Sequence, residues 1–562
     1  MEAKRQKGIA GLGTQVRCGS YAIWAFVLLG SLLLYAVSLW WGELNQDEGW
    51  YLYAGRMVQE GYVPYRDFAF TQGPLMAYVY GLAYPLVRWQ GVFGGRIFTA
   101  VLSWAGLCLA IYLVRLVAKR KGQHPFWPML FVSVFWGLNL YQVYYTTIVK
   151  TYALAAVCML GGMILLEHGL ASTDRKSEKT FHAGIFLSAF LGGGLLAMAA
   201  GVRLSAAFLL PACWIPLVYH WIRREKPHAL GLWLTGMLVG GTLGICLLFV
   251  PFGLLDADAL RFGLFDYHTG RSVESGFGVL AYKVGFLLRL MQAYWPLLAV
   301  TLLLPWGHRS IKAARSSDSR KERGRLLHVP FLIGFVVVSC IHLLSVFPYD
   351  DYQVFIMPLA MVVVALSVGR FVECWQIEQG VKLRWVGCLV FVMFAFALSG
   401  ERLQGWFVGS RDLIWWPLRE QSSLGQLRDV GWEMRAGKTR AAVDGTVITQ
   451  DLYLAVESGY RVPRGMELGP FANFWSLSDS EAARYGVLNY NRAKHIIQET
   501  DAAWAAYSGY GFAIAAPQII PIADVERNDL LASIDDHFVF VDVFVDFGQA
   551  MTDLRLYRKQ QP

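Results

Sequence analysis

Two carboxylates stand side by side in Asn45-Gln46-Asp47-Glu48-Gly49-Trp50-Tyr51, directly after the first long apolar run of a 562-residue chain. One carboxylate placed beside a hydroxyl can take its proton as the oxygen attacks. Two carboxylates flanking one bond suit glycoside hydrolysis, where the departing alkoxide also needs a proton. Neighbouring residues point in different directions on a helix or a strand, so Asp47 and Glu48 do not read as such a flanking pair. The plain alternative is two hydrated charges opening a helix, since carboxylates favour helix N-termini.

Other polar residues gather near the ends of apolar runs. Arg66 and Asp67 lie in Gly61-Tyr62-Val63-Pro64-Tyr65-Arg66-Asp67-Phe68, where they bind substrate, pair with each other or cap a turn. Gln72 follows in Thr71-Gln72-Gly73-Pro74-Leu75, and Arg96 opens the second apolar run. Lys150, Arg203, Arg271 and Arg289 sit near later runs. Charges near membrane spans are costly and often functional, although long cationic stems also snorkel to the interface. Tyr349-Asp350-Asp351-Tyr352 reads either as an aromatic belt with hydrated acids or as an acidic wall. Such a wall would bind sugar hydroxyls or a divalent cation. His268 beside Arg271 poses the same choice. No Gly-Lys-Ser/Thr phosphate loop and no dinucleotide fingerprint is present, which argues against a nucleotide-sugar donor bound on the cytoplasmic side.

The elements that hold these residues are membrane helices. Hydrophobic residues make up 56% of the chain and charged residues only 16%, with a mean hydropathy of +0.40. Soluble chains carry about 25% charged residues. Apolar runs of about 20 residues, the length of a spanning helix, recur throughout. Spans are expected near 21–41, 94–116, 127–145, 152–168, 182–200, 203–222, 229–251, 286–304, 329–347, 353–370 and 384–400. The predicted fold is mainly α: a polytopic bundle of about 11 spans with a small C-terminal α/β domain outside the membrane. Residues 1–400 form the membrane module, and its first outer loop, 42–93, carries the site. A second long outer loop runs from 252 to about 285. Residues 401–562 form the outer domain, with helices expected at 420–436, 479–485, 491–499 and 524–533 and strands at 538–547 and 554–558.

Charge sets the orientation. Lys4, Arg5, Lys7 and Arg17 precede the first span, which is too long for a signal-peptide core and is read as retained. Further clusters, Arg115 to Lys121, Arg175 to Lys179, Arg223 to Lys226, Arg309 to Arg325 and Arg370 to Arg384, fall on one side. That side is cytoplasmic by the positive-inside rule, so basic charge here marks topology and gives no sign of nucleic-acid binding. Residues 401–562 carry 16 Lys and Arg against 21 Asp and Glu, a net of −5, whereas the first 400 carry 34 against 20, a net of +14. All eight cysteines precede residue 400 without metal-ligand spacing, which excludes a disulfide framework in the tail.

The first outer loop resembles that of the GT-C superfamily of integral-membrane glycosyltransferases. The similar branch contains protein O-mannosyltransferases, lipid A aminoarabinose transferases and related polyprenyl-phosphate-dependent enzymes. The resemblance rests on Asp47-Glu48, Tyr51 to Gly61, Pro64 to Phe68, Gln72 to Leu75, and Arg96-Ile97. It extends more loosely to Gly201-Val202-Arg203-Leu204, Tyr349 to Tyr352, Val456 to Gly459, Gly465-Met466-Glu467 and Leu556-Tyr557-Arg558. It implies an inner- or plasma-membrane enzyme that moves a sugar from a polyprenyl phosphate to an envelope glycan, lipid or protein on the outer face. Membrane lipids are then its surroundings, and a divalent metal ion remains an open option. Asp47 matches the base; Glu48 is a helper, a metal ligand or a structural residue. Gln72 matches the region near the lipid phosphate. Some relatives have a basic residue at that turn, whereas this chain has Thr71, Gln72 and Gly73. The phosphate-binding charge therefore falls to Arg96, Lys150, Arg203, Arg271 or Arg289. The outer domain would cover the cavity or help choose the acceptor without holding the base.

Two other functions share this compartment: a transporter or flippase of lipid-linked glycan, and a glycan polymerase or ligase. A transporter would place ionisable groups near mid-membrane and show repeated halves, and neither is evident. The loop charges make a topology prediction. A reporter active only outside the cytoplasm is expected to work when fused after Pro562 and to stay silent when fused at Ser317. The opposite pattern would overturn the orientation.

Overall fold

The computed structural model describes residues 17–173, 180–222, 228–269, 276–302, 328–345, 348–379, 421–509, 511–512, 522–549 and 551–560. The span expected at 384–400 and the candidate Arg271 lie outside the described residues. Apolar helices coincide with the other ten expected spans. Five are long and apolar enough to cross a bilayer: Ala22–Trp41, Val92–Arg120, Thr151–Ser172, His182–Val202 and His228–Leu255. Gly276–Ala293 and Trp295–Leu302 together make a sixth, bent by 82°. Phe126–Gly137, Leu204–Tyr219, Pro330–Leu344 and Met357–Val372 are apolar but shorter. Eleven full-length spans are therefore not found among the described residues.

Two expected straight spans are broken, each for a local reason. The run at 127–145 divides into Phe126–Gly137 and Leu140–Thr147. Asn139 at the break caps the second helix by accepting from the Gln142 N–H, and its Nδ2 donates to the Ala293 carbonyl at 2.9 Å. The helix expected to start at 286 starts at Gly276 and bends before Pro296, whose missing N–H interrupts the backbone ladder. The preceding helix also runs on to Leu255, so the second long loop is shorter than expected.

The long segment after the first apolar helix contains two helices, α1 (Gln46–Gln59) and α2 (Leu75–Gln90), followed by the long apolar helix α3 (Val92–Arg120). Asn45 and Glu48 form a capping box at the start of α1, the reciprocal arrangement that satisfies two end N–H groups. This box turns Glu48 inward and leaves Asp47 on the adjacent face. Gly91, at φ +67°, ends α2 and lets α3 begin at once.

In the tail, four strands order as β1 (Val447–Thr449), β2 (Trp504–Tyr507), β4 (Thr552–Lys559) and β3 (Phe538–Phe547). β1 pairs parallel to β2, and the other neighbours are antiparallel. Helices at Ser423–Arg435, Asp479–Tyr485, Tyr490–Glu499 and Asp524–His537 match the expected positions to within a few residues.

One further tail helix, α4 (Leu452–Ser458), is buried along its whole length and packs against α1. Gln46 Nε2 donates to Asp451 Oδ1 at 2.7 Å, and the Tyr53 hydroxyl accepts from the Val462 N–H at 3.0 Å. Arg56 Nη1 donates to the Gly459 and Tyr460 carbonyls at 3.1 and 2.8 Å. The tail thus grips α1 from its first residue to its last turn. Gly49 makes the closest approach: a Cβ there would run into the backbone at Leu452 and Tyr453. Gly49→Ala is expected to cost about 1–3 kcal/mol, the usual range for overfilling a packed contact. The loss should appear as a lower melting temperature of the detergent-purified protein. An unchanged melting temperature would refute this seating of the tail.

Candidate active site

Both acids of the sequence motif are held, in opposite ways. Glu48 is fully buried and forms a two-point ion pair with Arg96 of α3, also fully buried: Nη2 to Oε1 at 2.6 Å and Nε to Oε2 at 2.8 Å. Glu48 also accepts from the Val149 N–H at 3.2 Å. Arg96 donates its remaining bonds to the carbonyls of Leu39, Gly42 and Glu43 at the end of the first span. These two residues are enclosed by their own chain.

Asp47 is different. Its side chain is 26% exposed; Oδ1 accepts from Trp50 Nε1 at 3.1 Å, and Oδ2 lies 3.1 Å from Lys150 Nζ. Lys150 is buried and reaches a second carboxylate, Asp351 Oδ2, at 2.6 Å. That same oxygen accepts from the Tyr152 hydroxyl at 2.9 Å. Burial alone would lower the Lys150 pKa, but the Asp351 and Asp47 carboxylates hold it well above the usual lysine range. Burial likewise works against the Asp351 carboxylate, and the ammonium beside it holds its pKa below the ordinary value.

Asp350 makes its own pairs, with Arg289 Nε at 2.7 Å and with the Tyr141 hydroxyl. Burial and then the neighbouring Asp351 charge push its pKa up. Both acids of the Tyr349–Tyr352 turn are therefore buried and paired with basic side chains.

Arg203 is buried without a carboxylate within ion-pair distance among the described residues, and its Nε has no hydrogen-bond partner. Its guanidinium lies 4.3 Å from the Tyr352 ring centroid and 5.1 Å from that of Tyr152, and Nη1 donates to Thr151 Oγ1 at 3.3 Å. Burial and then Asp47 raise the Tyr51 pKa, while Arg203 and Lys150 act in the lowering direction.

The remaining candidates sit apart from this cluster. Arg66 and Asp67 pair with each other at 2.9 and 2.7 Å near the surface, and Asp67 also accepts from the Val63 N–H. Gln72 is half-buried, and its carbonyl accepts from the Tyr65 hydroxyl. His268 Nε2 lies 3.0 Å from the Thr71 carbonyl oxygen, linking the two long loops. Sequence reasoning passed over Tyr51, Tyr141 and Tyr152 as partners. The Tyr-rich stretch Tyr141 to Tyr152 was the available signal.

No three His, Cys, Asp or Glu side chains converge as a metal-ligand set among the described residues. The two carboxylates that do face a common point, Asp47 and Asp351, already share the Lys150 ammonium. These residues do not fit a resident metal ion.

The sequence matches no protein-family model and no curated protein. Among solved structures, the chain is similar to ArnT from Cupriavidus metallidurans in the apo state, at 14% identity and a TM-score of 0.54. That match covers 95% of this chain and 97% of ArnT. The Archaeoglobus fulgidus oligosaccharyltransferase in the apo form matches at 10% identity and a TM-score of 0.48, covering 96% of this chain and 74% of the other. The match to ArnT, over nearly the whole of both chains, shows a shared fold.

Replacing Arg96 by Met would leave Glu48 buried and unpaired. Breaking a buried ion pair from one side typically costs about 3–5 kcal/mol. Arg96→Met and Glu48→Gln are each expected to reduce the yield of monodisperse protein and lower its melting temperature. Wild-type stability in Arg96→Met would show that this pair does not hold the loop.

Proposed function

We propose that this chain is a membrane glycosyltransferase that moves a sugar from a polyprenyl-phosphate donor to an acceptor hydroxyl on the outer face, with Asp47 as the general base. One observation carries the reading. Asp47 is the most open carboxylate of the cluster, and Arg203 is buried with an unpartnered Nε and no carboxylate within ion-pair distance among the described residues. The fold shared with ArnT supports the reading.

The chemistry follows from these positions. The acceptor oxygen attacks the anomeric carbon, and its proton passes to Asp47. The bond from that carbon to the phosphate oxygen breaks, and the electron pair leaves with the lipid phosphate. Phosphate is a weakly basic leaving group and needs positive charge more than a proton. A single displacement of this kind inverts the anomeric centre. Among the described candidate cations, Arg203 is the one without a carboxylate partner: Arg96 is spent on Glu48, Arg289 pairs with Asp350, and Lys150 pairs with Asp47 and Asp351. Glu48 and Arg96 then serve as scaffold, and Asp350 and Asp351 as the inner wall. Among possible acceptors, an envelope glycan, lipid or protein hydroxyl would enter from the open side of Asp47.

The test uses purified protein in nanodiscs, labelled polyprenyl-phosphate sugar and an envelope extract as acceptor. Asp47→Asn should retain folding and donor affinity while turnover falls about 10²–10⁴-fold, the range for a lost general base. Arg203→Met should instead weaken donor binding. Wild-type turnover in Asp47→Asn would remove the base assignment and leave Asp350 or Asp351 as the next candidate. Absence of transfer by the wild-type protein, together with protein-dependent movement of lipid-linked glycan between leaflets, would favour a transporter.

A further inference from the structure

We propose that Lys150 is the site's own resident cation: its ammonium bridges Asp47 and Asp351, fixes the base and makes the site independent of a divalent metal ion. The inference rests on the glycosyltransfer reading for its kinetic consequence, but its structural part stands alone.

Two carboxylates facing one point repel each other unless a cation sits between them. Here that cation belongs to the chain. Lys150 Nζ lies 2.6 Å from Asp351 Oδ2 and 3.1 Å from Asp47 Oδ2, on a residue that is 5% exposed. The rings of Tyr145 and Tyr152 stand 5.2 and 5.6 Å away, supplying further negative faces. Asp351, more buried than Asp47 and also bonded to Tyr152, is the anchor, and Asp47 is the longer and more open contact.

This asymmetry suits the reaction. As the acceptor proton moves to Asp47, that carboxylate loses its negative charge. The departing lipid phosphate gains one negative charge at the same moment. No charge enters or leaves the site; one unit moves from Asp47 to the phosphate. An ammonium on a flexible four-carbon stem can stay anchored on Asp351 and turn its other donors toward the new charge. Lys150 thus acts as a positioning residue before the attack and as a source of positive charge after it.

The experiment pairs activity with a metal-binding readout on the full-length protein in nanodiscs. Wild-type protein is expected to keep its transfer rate after treatment with EDTA, and its melting temperature should not move when Mn²⁺ is added. Lys150→Ala leaves two facing carboxylates and should lose about 10²–10³-fold in turnover, the range for removing one charge-stabilising donor. It should also acquire a Mn²⁺-dependent rise in melting temperature and a partial recovery of turnover with Mn²⁺. Lys150→Arg, which keeps a cation, should show no Mn²⁺ response.

Loss of wild-type activity in EDTA with recovery on Mn²⁺ would overturn the proposal. So would a Mn²⁺-induced shift in wild-type melting temperature that disappears in Asp351→Asn. If Lys150→Ala does not fold, these two wild-type measurements still decide. If no donor is turned over at all, the glycosyltransfer reading fails, and the melting-temperature arm tests the resident cation without it.

Discussion

The buried pair of Glu48 and Arg96 is the constraint from which the arrangement of the site follows. Arg96 stands on the second spanning helix and holds the last carbonyls of the first span through three backbone contacts. Glu48 stands in the first turn of α1 and holds both Arg96 and the backbone at Val149. Residues 39–43, the start of α1, α3 and the turn at Val149 therefore meet at one charge pair. Asp47 is one residue from Glu48 and Lys150 is one residue from Val149, so fixing the pair fixes both residues that face the open side. A buried ion pair adds little net stability compared with apolar packing, but its geometry admits one register. Register is what a site assembled from loop ends requires.

The tail completes this scaffold. Glu457, fully buried in α4, accepts from the Val92 N–H at 3.0 Å, at the first residue of α3, and pairs with Arg440. A carboxylate at a helix N-terminus is favoured by the helix dipole and satisfies an otherwise free N–H. Arg440 in turn donates to the Trp89 carbonyl at 2.8 Å, at the end of α2. On the other side, the Leu44 N–H donates to Ser423 Oγ at 3.1 Å. The tail therefore touches the segment before α1, the whole of α1, and the junction of α2 with α3. A loop with only short helices of its own owes its rigidity to this backing.

Much of this was legible in the sequence, for reasons that differ by element. Spans declare themselves because lipid demands long uninterrupted apolar runs. The tail's helices and strands showed through period and turn residues. The break at Asn139 and the bend before Pro296 were marked by one residue each, too weak a signal against strongly apolar surroundings. At the site, Asp47 could be found because it adjoins the first span. The inward role of Glu48 was also written there, in the three-residue spacing from Asn45 that makes a capping box. Lys150 and Asp351 are 201 residues apart, and Arg203 meets Tyr352 across 149 residues (352 − 203). No periodicity connects such pairs; only the packing of the spans does.

Lys150 and Arg203 are held by different physical means, and the difference divides their work on the proposed reading. Carboxylates hold Lys150, so its charge is largely cancelled where it stands. Aromatic faces hold Arg203, with Tyr352 and Tyr152 on its flanks and Phe355 at 5.9 Å. Ring quadrupoles stabilise a buried guanidinium by about 0.5–2 kcal/mol, much less than a full counter-charge provides. A guanidinium kept this way remains short of a partner, and an arriving phosphate supplies one with matching fork geometry. The donor's phosphate should therefore be drawn to Arg203, while Lys150 stays committed to the carboxylates until the proton has moved. A cation that binds and a cation that waits need different neighbours: aromatic rings flank both, but only Lys150 has aspartates within ion-pair distance among the described residues.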